Sequence, residues 1–185
     1  MTTPDRLLRA KSLRPVLITG APGVGKSSVA NLIAHRFSLA AHIDADELQK
    51  MIVSGGVWPS AATEAAVRQL VLRTSNVALL ASSFLLAGVL PIIDEVVGTT
   101  EQFQVLERHL GEHRLLIVGL AAPYAVLLER DAGRAKTTAA NYPGTEDKIR
   151  RTCRDAITWI DSSELSLDET VADVLELVLG ELDFE

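Results

Sequence analysis

Apolar residues fall into five short runs along the chain, separated by longer stretches in which they recur at helical spacing. The first run, Val16 to Thr19, is bounded by Pro15 and Gly20 and reads as a buried strand. Helical patterning follows from Ser27 to Phe37. A second strand is expected at Ala41 to Ile43, delivering Asp44 and Asp46 into the loop after it. Beyond Gly55, Gly56 and Pro59, helical spacing resumes from about Ala61 to Ala87. The run VLPIIDE reads as a third strand, with Pro91 tolerated near its start. A helix is expected at Glu101 to Leu110, a fourth strand in RLLIVGL, and a helix from about Pro123 to Arg130. After a polar segment rich in small and turn residues come a helix from Lys148 to Ala156 and a fifth strand in ITWID. Ser166 and Glu169 form a capping box for a last helix, Leu167 to Leu179.

Strands alternating with helices imply crossover connections, so the expected fold class is α/β, a three-layer α/β/α arrangement around a five-stranded parallel sheet. Thr74 to Ile93 carries no charged residue and matches the roughly 20 residues a membrane span needs. Asn76, Ser82, Ser83, Gly88 and Pro91 interrupt it, however, and it divides better into a helix, a Gly88 stop and a buried strand. No membrane span is therefore expected. Residues 1–14 hold Arg6, Arg9, Lys11 and Arg14 without a long apolar core and read as a lead-in, not a signal peptide. With no repeat and no long linker, residues 1–185 are expected to form one domain, in which the polar segment at about 130–147 is the mobile element.

Composition narrows the class of partner. The 185 residues are 48% hydrophobic, enough for one sizeable core, and the formal net charge is −6. A nucleic-acid partner is not expected, because such footprints are usually basic. The single cysteine, Cys153, has no partner for an intramolecular disulfide, which suits a reducing cytoplasm, and it reads as core filler.

The segment LITGAPGVGKSS carries the chemistry. Gly20, Gly25, Lys26 and Ser27 match G-x-x-x-x-G-K-[ST], and they lie between a predicted strand and a predicted helix, as the pattern requires. Glycines let successive N–H groups turn inward while the helix presents its positive end at the same point, so an anion belongs there. Gly23, Val24 and Ser28 complete the expected nucleotide-binding loop, with Gly23 leaving room for close backbone approach. Lys26 would reach the β- and γ-phosphates of ATP, and the Ser27 hydroxyl would ligate Mg²⁺.

Acids at strand ends face such a cradle. Asp94 closes the apolar run LPIID in the manner of a metal-holding acid, with adjacent Glu95 as a competing candidate. In IDAD, Asp44 and Asp46 stand two apart on an extended segment, which would send both side chains to one side. One could orient the metal and the other accept a proton from a substrate hydroxyl. The alternative is an Asx-type turn in which Asp46 caps a helix starting at Glu47.

LITGAPGVGKSS, IDADEL and IIDEVVG together resemble the P-loop small-molecule kinases, including shikimate kinase, gluconate kinase and chloramphenicol phosphotransferase. The resemblance covers most of the chain in layout, and WIDSSELSLDETV is also similar to predicted phosphotransferases of this group. It implies that Asp44 takes a metal-side role and Asp46 the role of base. It also implies a lid whose arginines close over the phosphates. Arg130 and Arg134, one helical turn apart, stand where that lid would begin, with Lys136 beyond them.

Other features carry less. Val53 to Gly56 resembles part of a transporter ATPase signature but reads as a flexible substrate-side loop. Trp58 sits where a substrate pocket could form, and Arg68 and Arg73 could meet an anionic substrate or simply be solvated. The four histidines lack metal-ligand spacing. The expectation is an ATP- and Mg²⁺-dependent transfer of the γ-phosphate to a hydroxyl of a small molecule. The rivals are a nucleoside monophosphate kinase, a nucleotide-binding regulatory ATPase, and a toxin-like kinase acting on a nucleotide sugar. Gln49 to Ser60 matches no acceptor-reading pattern, and nothing in the sequence specifies an oligomeric state.

Overall fold

In the computed structural model, residues 13–132 and 142–182 are described. The lead-in up to residue 12, and with it Arg134 and Lys136, lie outside them. The expected strands form one parallel sheet from β1 (Val16–Gly20), β2 (Ala40–Asp44), β3 (Leu90–Asp94), β4 (Leu116–Ala121) and β5 (Ile157–Asp161). They are ordered β2-β3-β1-β4-β5, and every pairing is parallel. Near-continuous apolar runs are what a sheet buried on both faces demands, and β1, β3 and β4 are buried throughout.

Among the described residues seven helices cover the two faces: α1 (Lys26–Ala34), α2 (Ala45–Lys50), α3 (Glu64–Leu86), α4 (Thr100–Leu110), α5 (Tyr124–Ala132), α6 (Thr145–Cys153) and α7 (Leu167–Glu181). The strand alternation divides the core accordingly. Val16 and Ile18 pack with Val29, Ile33, Leu127, Val174 and Val178 of α1, α5 and α7, while Leu17 packs with Val77, Leu106 and Ile149 of α3, α4 and α6. The three-layer α/β/α expectation therefore holds.

Local chemistry sets the helix ends. Thr63, Thr99 and Ser166 accept from backbone N–H groups at the starts of α3, α4 and α7, and the Ser166–Glu169 capping box is complete. The uncharged stretch divides as expected, with α3 ending at Leu86 and Gly88, at φ +77°, turning the chain into β3. Pro91 stands where β3 pairs with β2 alone, since pairing with β1 begins at Ile92.

Several boundaries differ from expectation. After Ala34, Arg36 and Phe37 wind into a tighter turn by donating to Ile33 and Ala34, so α1 stops early. Ala62, at φ +51°, separates a 3₁₀ turn at Pro59–Ala61 from α3. Arg114, at φ +55°, closes another 3₁₀ turn and delays β4 to Leu116. Gly144 starts α6 at Thr145, and Arg154, at φ +44°, ends it before Ala156.

Cys153 is 2% exposed, and burial pushes its thiol up to about 11, consistent with a filler role. Its thiolate is therefore scarce below that pH in the folded state. Ellman's reagent at pH 8 should react with it only after denaturation; fast reaction with the native protein would contradict the packing. Gly119 admits no side chain, because a Cβ there would lie 2.6 Å from Trp159 Cε3 and 2.7 Å from Ile157 Cδ1. Gly119→Ala should cost about 1–3 kcal/mol, read as a lower urea midpoint.

Candidate active site

The loop after β1 is shaped for an anion. Gly20 has φ +148°, and a Cβ on it would lie 2.5 Å from the Leu120 carbonyl oxygen. Gly23 and Gly25 also have positive φ, at +90° and +104°, so the backbone curls back before α1 starts at Lys26. Gly25, the N-cap, makes no side-chain cap bond, so among the described residues the first-turn amides of α1 have no capping side chain. Uncapped amides at the positive end of a helix fit a phosphate. Val24 is buried in the core and can offer a ligand only its backbone, whereas Ser27 and Ser28 are exposed. The Lys26 ammonium folds over the loop and donates to Ala21 O at 3.3 Å.

Parallel register brings the strand-end acids to this loop. Asp44 of β2 stands directly opposite Asp94 of β3, and the Ser27 hydroxyl lies beside the Asp94 carboxylate. Burial holds the Asp94 carboxyl above the usual range; Lys26 and Ser27 oppose this, while Asp44 adds to it. Two adjacent carboxylates and a hydroxyl are hard oxygen donors of the kind Mg²⁺ takes. Among the described residues no group of three or more His, Cys, Asp or Glu is arranged to hold a metal.

Glu95 does not compete with Asp94 for this position. Consecutive residues at an extended strand end point to opposite faces, and Glu95 turns toward α3. There its Oε1 accepts from Thr74 Oγ1 at 2.7 Å, Arg73 Nε at 3.3 Å and Gln102 Nε2 at 3.4 Å, with the side chain fully buried. Burial pushes its carboxyl upward, and these three donors pull the other way.

The paired-carboxylate expectation for IDAD is corrected. The chain is extended only to Asp44, which is itself the N-cap of α2, accepting from the Asp46 N–H at 2.8 Å. Asp46 is already in the first helical turn, so the two side chains do not share one side. Asp44 keeps to Asp94, and Asp46 Oδ1 accepts instead from Arg73 NH1 at 3.4 Å. The capping role assigned to Asp46 belongs to Asp44.

Arg130 is committed to the loop after β5. Its guanidinium donates to Ser162 O at 2.6 Å, Ser163 O at 3.3 Å and Ser162 Oγ at 3.3 Å, which ties α5 to that loop. The segment between α2 and α3 is held by side-chain hydrogen bonds at Gly55 and Val57. Gln69 donates to Gly55 O at 2.8 Å and accepts from Val57 N at 2.8 Å, and Gln49 donates to Val57 O at 3.1 Å. A cleft of about 580 Å³ adjoins the cradle at Ala21 and runs along the ends of β4 and β5, lined by Tyr124, Tyr142, Arg150, Trp159 and Asp161. Arg150 lies over the Trp159 ring at 3.9 Å.

Arg73 is the residue the sequence reading left undecided. It falls on the buried stripe of α3 with Ala66, Val77 and Ala81, so a charge at helical spacing among core positions was the available signal. Arg68, by contrast, is exposed and pairs with Glu64.

A family model described as chloramphenicol phosphotransferase-like protein matches residues 14–177. A UPF0200 protein from Aeropyrum pernix is 30% identical over 133 residues, which is 70% of this chain and 66% of that protein, just under two thirds of its length. The structure of the Mycobacterium tuberculosis APS kinase in complex with AMPPNP and APS is similar at a TM-score of 0.67 and 18% identity, with 91% of this chain and 98% of that one covered. The shikimate kinase from Acinetobacter baumannii in complex with shikimate is similar at a TM-score of 0.61 and 17% identity, covering 92% and 96%. At such identities the likeness is one of fold.

Arg73→Met should destabilise the protein by about 3–5 kcal/mol, because it strands a buried carboxylate. Adding Glu95→Gln should recover most of that loss in urea unfolding; no recovery would show that the two charges are not compensating each other.

Proposed function

The chain belongs to the chloramphenicol phosphotransferase-like family, and from that premise we propose that it is an ATP- and Mg²⁺-dependent phosphotransferase acting on a hydroxyl group of a small molecule. The observation that carries this reading is the closure of the glycine loop by its own acid. The Ser27 hydroxyl meets Asp94, with Lys26 beside them and Asp44 in register.

In this reading the triphosphate lies across the first turn of α1, where uncapped amides donate to its oxygens. Lys26 leaves Ala21 O and reaches the β- and γ-phosphates. Ser27, Asp94 and Asp44 would hold magnesium, whose charge would offset that of the phosphoryl oxygens. The β2–β3 side of the cradle carries Asp46, so the acceptor enters there and the nucleoside end occupies the cleft at β4–β5. The acceptor oxygen forms its bond to the γ-phosphorus as the bond to the ADP oxygen breaks, and Asp46 takes the hydroxyl proton.

Incubation with γ-labelled ATP and Mg²⁺ over a panel of hydroxylated metabolites and antibiotics tests this, with nucleoside monophosphates run alongside. Label transferred to a hydroxyl compound is expected; transfer only to monophosphates, or hydrolysis alone, would sink it. Lys26→Ala should lower both nucleotide binding and transfer, the latter by on the order of 10²-fold or more. Asp46→Asn should keep ATP binding and lose transfer by about 10²–10⁴-fold. Unchanged turnover in Asp46→Asn would remove it as the base.

A further inference from the structure

We propose that Arg73 is a positioning residue for Asp46, and that buried Glu95 is the anchor that makes it one. The inference rests on the reading of Asp46 as proton acceptor.

An arginine only 5% exposed needs a compensating charge, and Glu95 supplies it from a side chain that is itself fully buried. Glu95 is held in turn. Thr74 and Gln102 donate to the same Oε1 that Arg73 reaches, and Gln102 is fixed by its bonds to Val96 O at 2.9 Å and from Gly98 N at 3.1 Å. Glu95 Oε2 is buried and finds no hydrogen-bond partner among the described residues. Arg73 is thus the charged donor that compensates this carboxylate.

With Nε fixed on Glu95, the planar guanidinium has little freedom, and its NH1 end is set toward Asp46 Oδ1 at 3.4 Å. Asp46 lacks that restraint on its own. It sits in the first turn of a six-residue helix with a side chain 53% exposed. A carboxylate so placed samples several rotamers in water, and a bond from a rigid cation selects one of them. The pair engages Oδ1, and Oδ2 lies outside it. A purely structural buried pair is often replaceable by neutral groups of similar size at little cost. Here one prong of the guanidinium is spent on a half-exposed acid two residues beyond Asp44, which stands opposite Asp94, and in a group that takes a proton a displacement of about 1 Å costs on the order of 10²-fold in rate.

The double variant Arg73→Met with Glu95→Gln removes both buried charges, folds without a stranded carboxylate, and leaves Asp46 without its cation. It is compared with wild type and with Arg73→Lys in the full chain, using the acceptors that wild type phosphorylates in the panel above. The expected result is a loss of about 10-fold to 10²-fold in kcat, a KM for ATP within twofold of wild type, and partial recovery of kcat in Arg73→Lys. An unaltered kcat in the folded double variant would overturn the proposal, as would a loss confined to KM for ATP. If wild type transfers phosphate to no hydroxyl compound, the kinase reading itself fails and takes this inference with it, an outcome distinct from an active wild type with an indifferent variant.

Discussion

The Leu120 carbonyl oxygen, 2.5 Å from where a Cβ on Gly20 would stand, fixes how the chain leaves β1. Only a glycine passes that point, and the turn that follows aims the start of α1 back over the end of the sheet. Because the N-cap Gly25 caps α1 with no side chain, the positive end of that helix is available to a ligand as far as the described residues go. The central place of β1, between β3 and β4, then puts this start in the middle of the sheet, with acids to one side and a cleft to the other.

The end of β3 works as a divider. Asp94 turns to the α1 face and meets Ser27, while Glu95 turns to the α3 face and meets Arg73. One dipeptide thereby reaches both faces of the sheet, Asp94 toward the glycine loop and Glu95 toward the helix that carries Arg73. Both acids are driven toward neutrality by burial, and each is opposed by a cation, Lys26 in one case and Arg73 in the other.

Much of this was legible from residue pattern alone. The five strands, the glycine loop between β1 and α1 and the capping box of α7 are local features, written in contiguous residues, and each stands where expected. The competition between Asp94 and Glu95 could not be resolved that way, because it depends on which helix covers each face. Asp46 was misplaced for a similar reason. An extended and a helical reading of IDAD differ by one cap, and Asp44 provided it. Arg73 was ambiguous because an arginine on a core stripe makes sense only once Glu95, 22 positions later in the chain, is known to lie against it. The link from Arg130 to the Ser162–Ser163 carbonyls likewise joins segments that only the fold brings together.

Calorimetric titration of the full chain with ATP, in the presence and absence of Mg²⁺, tests most directly whether the loop, Lys26, Ser27 and the two strand-end acids form a nucleotide site. Saturable one-to-one binding that tightens with Mg²⁺, and loses that tightening in Asp94→Asn, is the predicted result. Absence of binding, or binding indifferent to both the metal and Asp94, would contradict it.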